Sequence, residues 1–141
     1  VVADQGLVQT DAYHTLRDRR LLGAEVAIFA DVGGKHAMPL VPVEIEQMAR
    51  DLVHRGLADA LVVSGRATGE ATPIAEVKRV RGAGPDVPLL VGSGVTPETV
   101  AELLSVADGV IVGTYVKSQG DVRKPVDPAR VEKLVAAAHR R

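Results

Sequence analysis

The chain has no cysteine and no tryptophan, and its aromatic side chains are one phenylalanine and two tyrosines among 141 residues. Without cysteine it can form no disulfide, hold no metal through thiolate and use no thiol nucleophile. That fits a reducing cytosol but leaves the compartment open, with the cytoplasm as the expected location. An excess of charge of one sign is also lacking: 17 Lys and Arg stand against 18 Asp and Glu, a net charge of −1. With no basic surplus and few aromatic faces on which bases could stack, nucleic acid is not an expected partner. No apolar run approaches the ~20 residues that span a bilayer. The start, Val1-Val2-Ala3-Asp4-Gln5-Gly6, has neither the basic opening nor the apolar stretch of a signal peptide. It also lacks an initiator Met, so the chain is expected to be processed or to be a piece of something longer.

What is present is ordinary for a soluble fold. The hydrophobic fraction of 46% and charged fraction of 25% fit one globular domain over residues 1–141. Four short apolar runs recur: Val26–Ala30, Ala60–Val63, Leu89–Val91 and Val110–Val112. Being short and rich in β-branched residues, with both faces apolar, they read as buried parallel strands. Helical patterns separate them. Thr72-Pro73, Thr96-Pro97 and Asp127-Pro128 each put a capping side chain before a proline suited to the first helical position. Further helices fit Ala12–Leu22, stopped by Gly23, and Val43–Arg55, stopped by Gly56.

This order, a helix followed by four strand–helix units, calls for an α/β fold with a parallel sheet and right-handed crossovers. A doubly wound sheet carries its phosphate-binding glycines after the first strand. Here Gly92-Ser93-Gly94 and Gly113-Thr114 follow the last two strands, where a (β/α)8 barrel binds phosphate. The chain therefore reads as the carboxy-terminal half of such a barrel. Its inner face would span roughly 250 Å² and, if covered, contribute on the order of 6 kcal/mol. A homo-oligomer, or a longer chain that supplies the cover, is the expectation.

Several stretches together resemble the BtpA/SgcQ family. They are Asp4-Gln5-Gly6, Phe29-Ala30-Asp31-Val32 with Lys35-His36, and Ala58–Gly65 followed by Thr68-Gly69. Val87–Gly113 and Val126-Asp127-Pro128 with Arg130-Val131 continue the likeness, which covers nearly the whole chain. The resemblance implies a phosphate-binding TIM barrel and a role in photosystem I biogenesis at the membrane periphery. It does not carry a settled reaction. Two departures stand out: the first half of the barrel is missing, and Gly33-Gly34 precede Lys35-His36 where bulkier residues are expected.

The candidate anion site is Gly92, Ser93, Gly94, Thr96, Gly113 and Thr114, whose backbone N–H groups can approach a phosphate closely, aided by the helix that follows Thr96. The same glycines also suit tight turns, and Thr96 also suits a plain cap. Asp31, Lys35 and His36 form a candidate catalytic cluster, with His36 as acid or base, Asp31 orienting or binding, and Lys35 as electrostatic support. The alternative is a strand-end Asp tying down its loop beside a solvated Lys and His. Asp4, Gln5, Ser64 and Arg66 are candidate substrate contacts, while Lys117, Arg123 and Lys124 make the segment after the last strand basic. Ser64 and Ser93 lack the setting of a hydrolase nucleophile. No His, Asp or Glu spacing has the pattern of a metal site, so neither metal nor cofactor is expected. Three functions compete: an enzyme acting on a small phosphorylated metabolite such as a sugar phosphate, an assembly or stability factor for a membrane complex, and a phosphate-binding module without turnover.

Overall fold

A computed structural model describes residues 1–9, 11–23, 25–34, 36–65, 70–84 and 86–139. In chain order the elements are β1 (Val2–Ala3), β2 (Gly6–Leu7), α1 (Ala12–Leu21), β3 (Phe29–Val32), β4 (Ala37–Met38), α2 (Ile45–His54) and β5 (Ala60–Ser64). They continue with α3 (Ile74–Gly82), β6 (Leu89–Gly92), α4 (Val100–Leu104), β7 (Gly109–Ile111) and α5 (Pro128–Ala138).

The main sheet is four-stranded and parallel, in the order β3-β5-β6-β7. Spatial order follows chain order with no reversal, so there is no switch point of the doubly wound kind. Crossovers repeated in one direction put α2, α3, α4 and α5 on the same face. That face forms the core. Val32, Leu61, Val63, Leu89 and Val91 of the strands meet Ala49 of α2, Val77 and Val80 of α3, Val100 and Leu103 of α4, and Leu134 and Ala137 of α5. The opposite face carries Phe29, Asp31, Val62, Ser64, Leu90, Gly92 and Ile111, alternating with the core residues as the pleat requires. No helix among the described residues covers it, and Phe29 and Ile111 remain 57% and 48% exposed.

Three expectations are revised. First, β3, β5 and β6 end one or two residues beyond their apolar runs, at Val32, Ser64 and Gly92, whereas β7 spans Gly109–Ile111 and stops one residue short of Val112. β3 starts at Phe29 because the Asp59 carboxylate, not a neighbouring strand, takes the Ile28 N–H, at 2.7 Å. Asp31 and Ser64 thus lie within strands, and the uncovered face is apolar at one end and polar at the other. Second, Thr72 does not cap α3. It is buried, and its hydroxyl donates to the Gly92 and Ser93 carbonyls at 3.0 and 3.3 Å. Third, α4 does not begin at Pro97. A turn over 97–99 intervenes and the helix is five residues long, with Thr99 at its N-cap. Only Asp127 of the three caps as expected, accepting the Ala129 N–H at 3.0 Å.

A repeated device at the amino-terminal edge of the sheet has no counterpart in the motif reading. Asp59, just before β5, accepts the Ile28 N–H and pairs with Arg19 of α1 at 2.8 Å. Asp108, just before β7, accepts the Leu89 N–H at 2.7 Å and pairs with Arg81 of α3 at 2.5 Å. Each carboxylate ties a strand start to the helix of the preceding unit. The backbone N–H is the leading cause that holds both carboxyls below their ordinary range, with the arginine adding to it.

A small antiparallel sheet, β2-β1-β4, was also unanticipated. It pairs Val2 with Leu7 and with Met38.

Candidate functional site

The carboxyl ends of the four parallel strands open into a cavity of about 750 Å³. Asp31 of β3 and Ser64 of β5 line one side, and the Ser64 hydroxyl donates to the Asp31 carboxylate at 3.4 Å. Gly92, Ser93, Gly94 and Thr96 line it after β6, and Gly113 and Thr114 after β7. The far wall holds residues of the 115–122 loop, including Tyr115 and Lys117, together with Arg130 from the first turn of α5.

The glycines differ in why they are glycine. A Cβ on Gly94 would lie 2.4 Å from the Glu70 carbonyl oxygen and from the Ala71 Cα, and its φ is +65°. Close passage of the 70–71 backbone, and not room for a ligand, accounts for this residue. Gly113 is the reverse case: nothing lies within 4 Å of a Cβ built there.

Backbone donors are available in this cavity. The N–H groups of Gly94, Gly113 and Thr114 make no backbone hydrogen bond among the described residues. Thr96 is otherwise engaged. Its N–H donates to the Thr99 hydroxyl at 3.0 Å and its hydroxyl lies 3.5 Å from that of Thr99, while Thr96 is also the leading cause that holds the Glu98 carboxyl below its ordinary range. Thr96 builds the turn that shapes this wall.

The basic residues after β7 separate in the same way. Arg123 is paired with Asp121 at 2.9 Å and Lys124 bonds Gln119, while Lys117 lines the cavity. Arg130 is half-buried, its Nε donates to the Tyr115 carbonyl at 2.5 Å, and its guanidinium lies 4.4 Å from the centre of the Tyr115 ring. Neither Lys117 nor Arg130 is paired with a carboxylate among the described residues. Sequence reasoning missed Arg130 and Tyr115 as site residues, because nothing local marks them. They converge only through the loop that joins β7 to α5, pinned by the Asp127 N–H on the Val116 carbonyl at 2.8 Å.

The remaining candidates fall elsewhere. His36 is exposed, with φ of +52°, beside the small antiparallel sheet, and its carbonyl accepts the Asp4 N–H at 3.3 Å. Asp4 and Gln5 form the exposed turn between β1 and β2. None of the three lines the cavity that holds Asp31. Lys35 and Arg66 lie outside the described residues. Among the described residues no group of three His, Cys, Asp or Glu side chains is arranged to hold a metal. No helix among them is long and apolar enough to cross a membrane.

The BtpA family profile matches residues 1–140. The chain is 36% identical over 137 residues to the photosystem I biogenesis protein BtpA of a Synechocystis strain, covering 97% of this chain and 48% of that protein. It is 35% identical over 138 residues to the putative sgc region protein SgcQ of Escherichia coli, covering 97% of this chain and 52% of that one. The chain thus spans about half the length of the curated relatives it matches. Among solved structures, N-(5′-phosphoribosyl)anthranilate isomerase from Pyrococcus furiosus superposes with a TM-score of 0.53 at 22% identity, covering 89% of this chain and 55% of that one. The Thermus thermophilus phosphoribosyl anthranilate isomerase gives 0.53 at 17% identity, covering 92% and 68%. Both are TIM barrels, and at these identities the likeness is one of fold: the four-stranded sheet corresponds to half a barrel.

Proposed function

The chain belongs to the BtpA family, and from that premise we propose that it binds a small phosphorylated metabolite at the carboxyl ends of its strands. The observation that carries this reading is the set of backbone N–H groups at Gly94, Gly113 and Thr114 that have no backbone partner among the described residues, in residues that line the same cavity as Lys117 and Arg130. Partial positive charge from N–H groups, reinforced by two cations, favours an anion there. The helix after β6 is too short and too late in the chain to contribute, so the donors and cations carry the affinity. Asp31 and Ser64 serve the other end of the ligand. β3 and β6 are separated by β5, about 10 Å at the usual strand spacing. That span suits a phosphate joined to a short hydroxylated carbon chain, as in a sugar phosphate. Asp31 then accepts hydrogen bonds from substrate hydroxyls, and in an enzyme of this type it is the group placed to take a proton.

Residues 1–141 act in this reading as one half-barrel domain, with the uncovered sheet face closed by four further strands. The likeness to the Synechocystis photosystem I biogenesis protein favours a second reading, a non-catalytic assembly or stability factor for a membrane complex. Gly113→Val decides between them. The added side chain has open space and no left-handed backbone to strain, so the fold is retained while the anion's position is filled. Calorimetric titration with inorganic phosphate should give a parent that binds and a variant at least about tenfold weaker, with unchanged thermal midpoints. Equal affinity in the two proteins would remove the phosphate site from this loop. A parent that takes up neither phosphate nor a sugar phosphate would leave the assembly reading.

A further inference from the structure

We propose that Arg130, clamped by Tyr115 and seconded by Lys117, makes this site select a terminal phosphate monoester, a dianion, over a monoanionic phosphodiester. The inference deepens the phosphate reading and rests on it. It starts from the way Arg130 is held. Of its five N–H donors only the one on Nε is used among the described residues, to the Tyr115 carbonyl at 2.5 Å. The guanidinium lies over the Tyr115 ring at 4.4 Å, in cation–π range. The two terminal nitrogens, the fork that grips phosphate in paired hydrogen bonds, have no partner in the described residues.

A half-buried arginine is ordinarily met by a carboxylate. Neighbouring acids are otherwise engaged: Asp121 holds Arg123, and the Asp127 carboxylate, one turn before Arg130, accepts the Ala129 N–H at 3.0 Å. Asp31 stands on the opposite edge strand of the sheet, three strand spacings from β7 or roughly 14 Å. Among the described residues no carboxylate is ion-paired with Lys117 or Arg130, so this wall presents two cations to a ligand. A dianion neutralises both, whereas a diester neutralises one and brings an extra alkyl group toward the polar loop. Because the ring and the carbonyl already restrict the guanidinium, little side-chain freedom is lost when an anion docks. This is a binding device, and a lysine at the same place would lose both the fork and the stacking plane.

The test uses the whole 141-residue protein with methyl phosphate and dimethyl phosphate as probes, titrated by calorimetry at pH 8, where the monoester is a dianion. The parent should bind methyl phosphate at least about tenfold more tightly than dimethyl phosphate. Arg130→Gln should weaken methyl phosphate binding about 10–100-fold and leave dimethyl phosphate little changed. Tyr115→Leu, which keeps the arginine but removes its stacking surface, should weaken methyl phosphate about three- to tenfold. Circular dichroism and thermal midpoints matching the parent exclude a folding defect. A parent that binds the two esters equally overturns the inference. So does an Arg130→Gln protein with parental affinity for methyl phosphate. A parent that binds neither ester nor inorganic phosphate overturns the phosphate reading itself, an outcome distinct from the other two.

Discussion

Thr72 offers the sharpest test of how the site is built, because its sequence context and its structure predict opposite outcomes for one substitution. Standing before Pro73 at the start of α3, it has the look of an N-cap, and on that reading Thr72→Asp exchanges one good cap for another at little cost. In the folded protein Thr72 is 6% exposed and its hydroxyl donates to the Gly92 carbonyl at 3.0 Å and the Ser93 carbonyl at 3.3 Å. An ionised carboxylate has no proton to donate. Thr72→Asp would bury a negative charge against two carbonyl oxygens, at a cost of about 3–5 kcal/mol. Thr72→Val keeps the shape and removes the hydroxyl's donation, so the buried Gly92 carbonyl loses this donor, at about 1–2 kcal/mol. Thr72→Ser keeps the donor and loses only a methyl group, about 1 kcal/mol or less. Urea denaturation measures all three. With a slope near 2 kcal/mol per M, the valine variant's midpoint should fall by about 0.5–1 M and the aspartate variant's by more than about 1.5 M. An aspartate variant as stable as the parent would refute the buried tie and restore the cap. Since the hydroxyl holds the Gly92–Ser93 segment, the valine variant should also bind phosphate more weakly than its loss of stability alone explains.

Two other outcomes are expected. Asp59 and Asp108, held below their ordinary range chiefly by the Ile28 and Leu89 N–H groups, add stability that is fully present above the unfolded carboxyl value of about 3.9 and is lost as pH falls through the lowered folded values. The double variant Asp59→Asn, Asp108→Asn should therefore show a shallower fall of thermal midpoint between about pH 5 and pH 2 than the parent, and an identical slope would mean the two carboxylates are not linked to folding. On the uncovered sheet face, Phe29 and Ile111 at 57% and 48% exposure each leave about 1 kcal/mol to be gained by covering them. Replacing both by Ser should lower self-association in light scattering at equal concentration, and a parent already monodisperse as a monomer that binds no hydrophobic dye would contradict an open half-barrel.

The sequence by itself determined the kind of elements and their succession. Short β-branched runs alternating with helical patterns are local facts, and they read correctly as parallel strand–helix units because periodicity reports how each segment divides between a buried and a solvated side. The family was legible as well, since its residues are distributed along nearly the whole chain. Element ends were less so. β3 begins three residues later than the apolar run because a carboxylate 31 positions away takes the Ile28 N–H, and no window of sequence contains both partners. What the tertiary structure decided was which residues meet. It brought Asp31, Ser64, the loops after β6 and β7, and Arg130 to one cavity, and set His36, Asp4 and Gln5 aside at a small sheet. It turned Thr72 from a cap into a tie, and explained Gly94 by the passage of a neighbouring backbone. Each of these depends on strand register and crossover direction, which bring residues tens of positions apart within hydrogen-bond reach. Local residue preferences do not encode that convergence, because it is created only when the strands pair and their carboxyl ends are drawn to one side of the sheet.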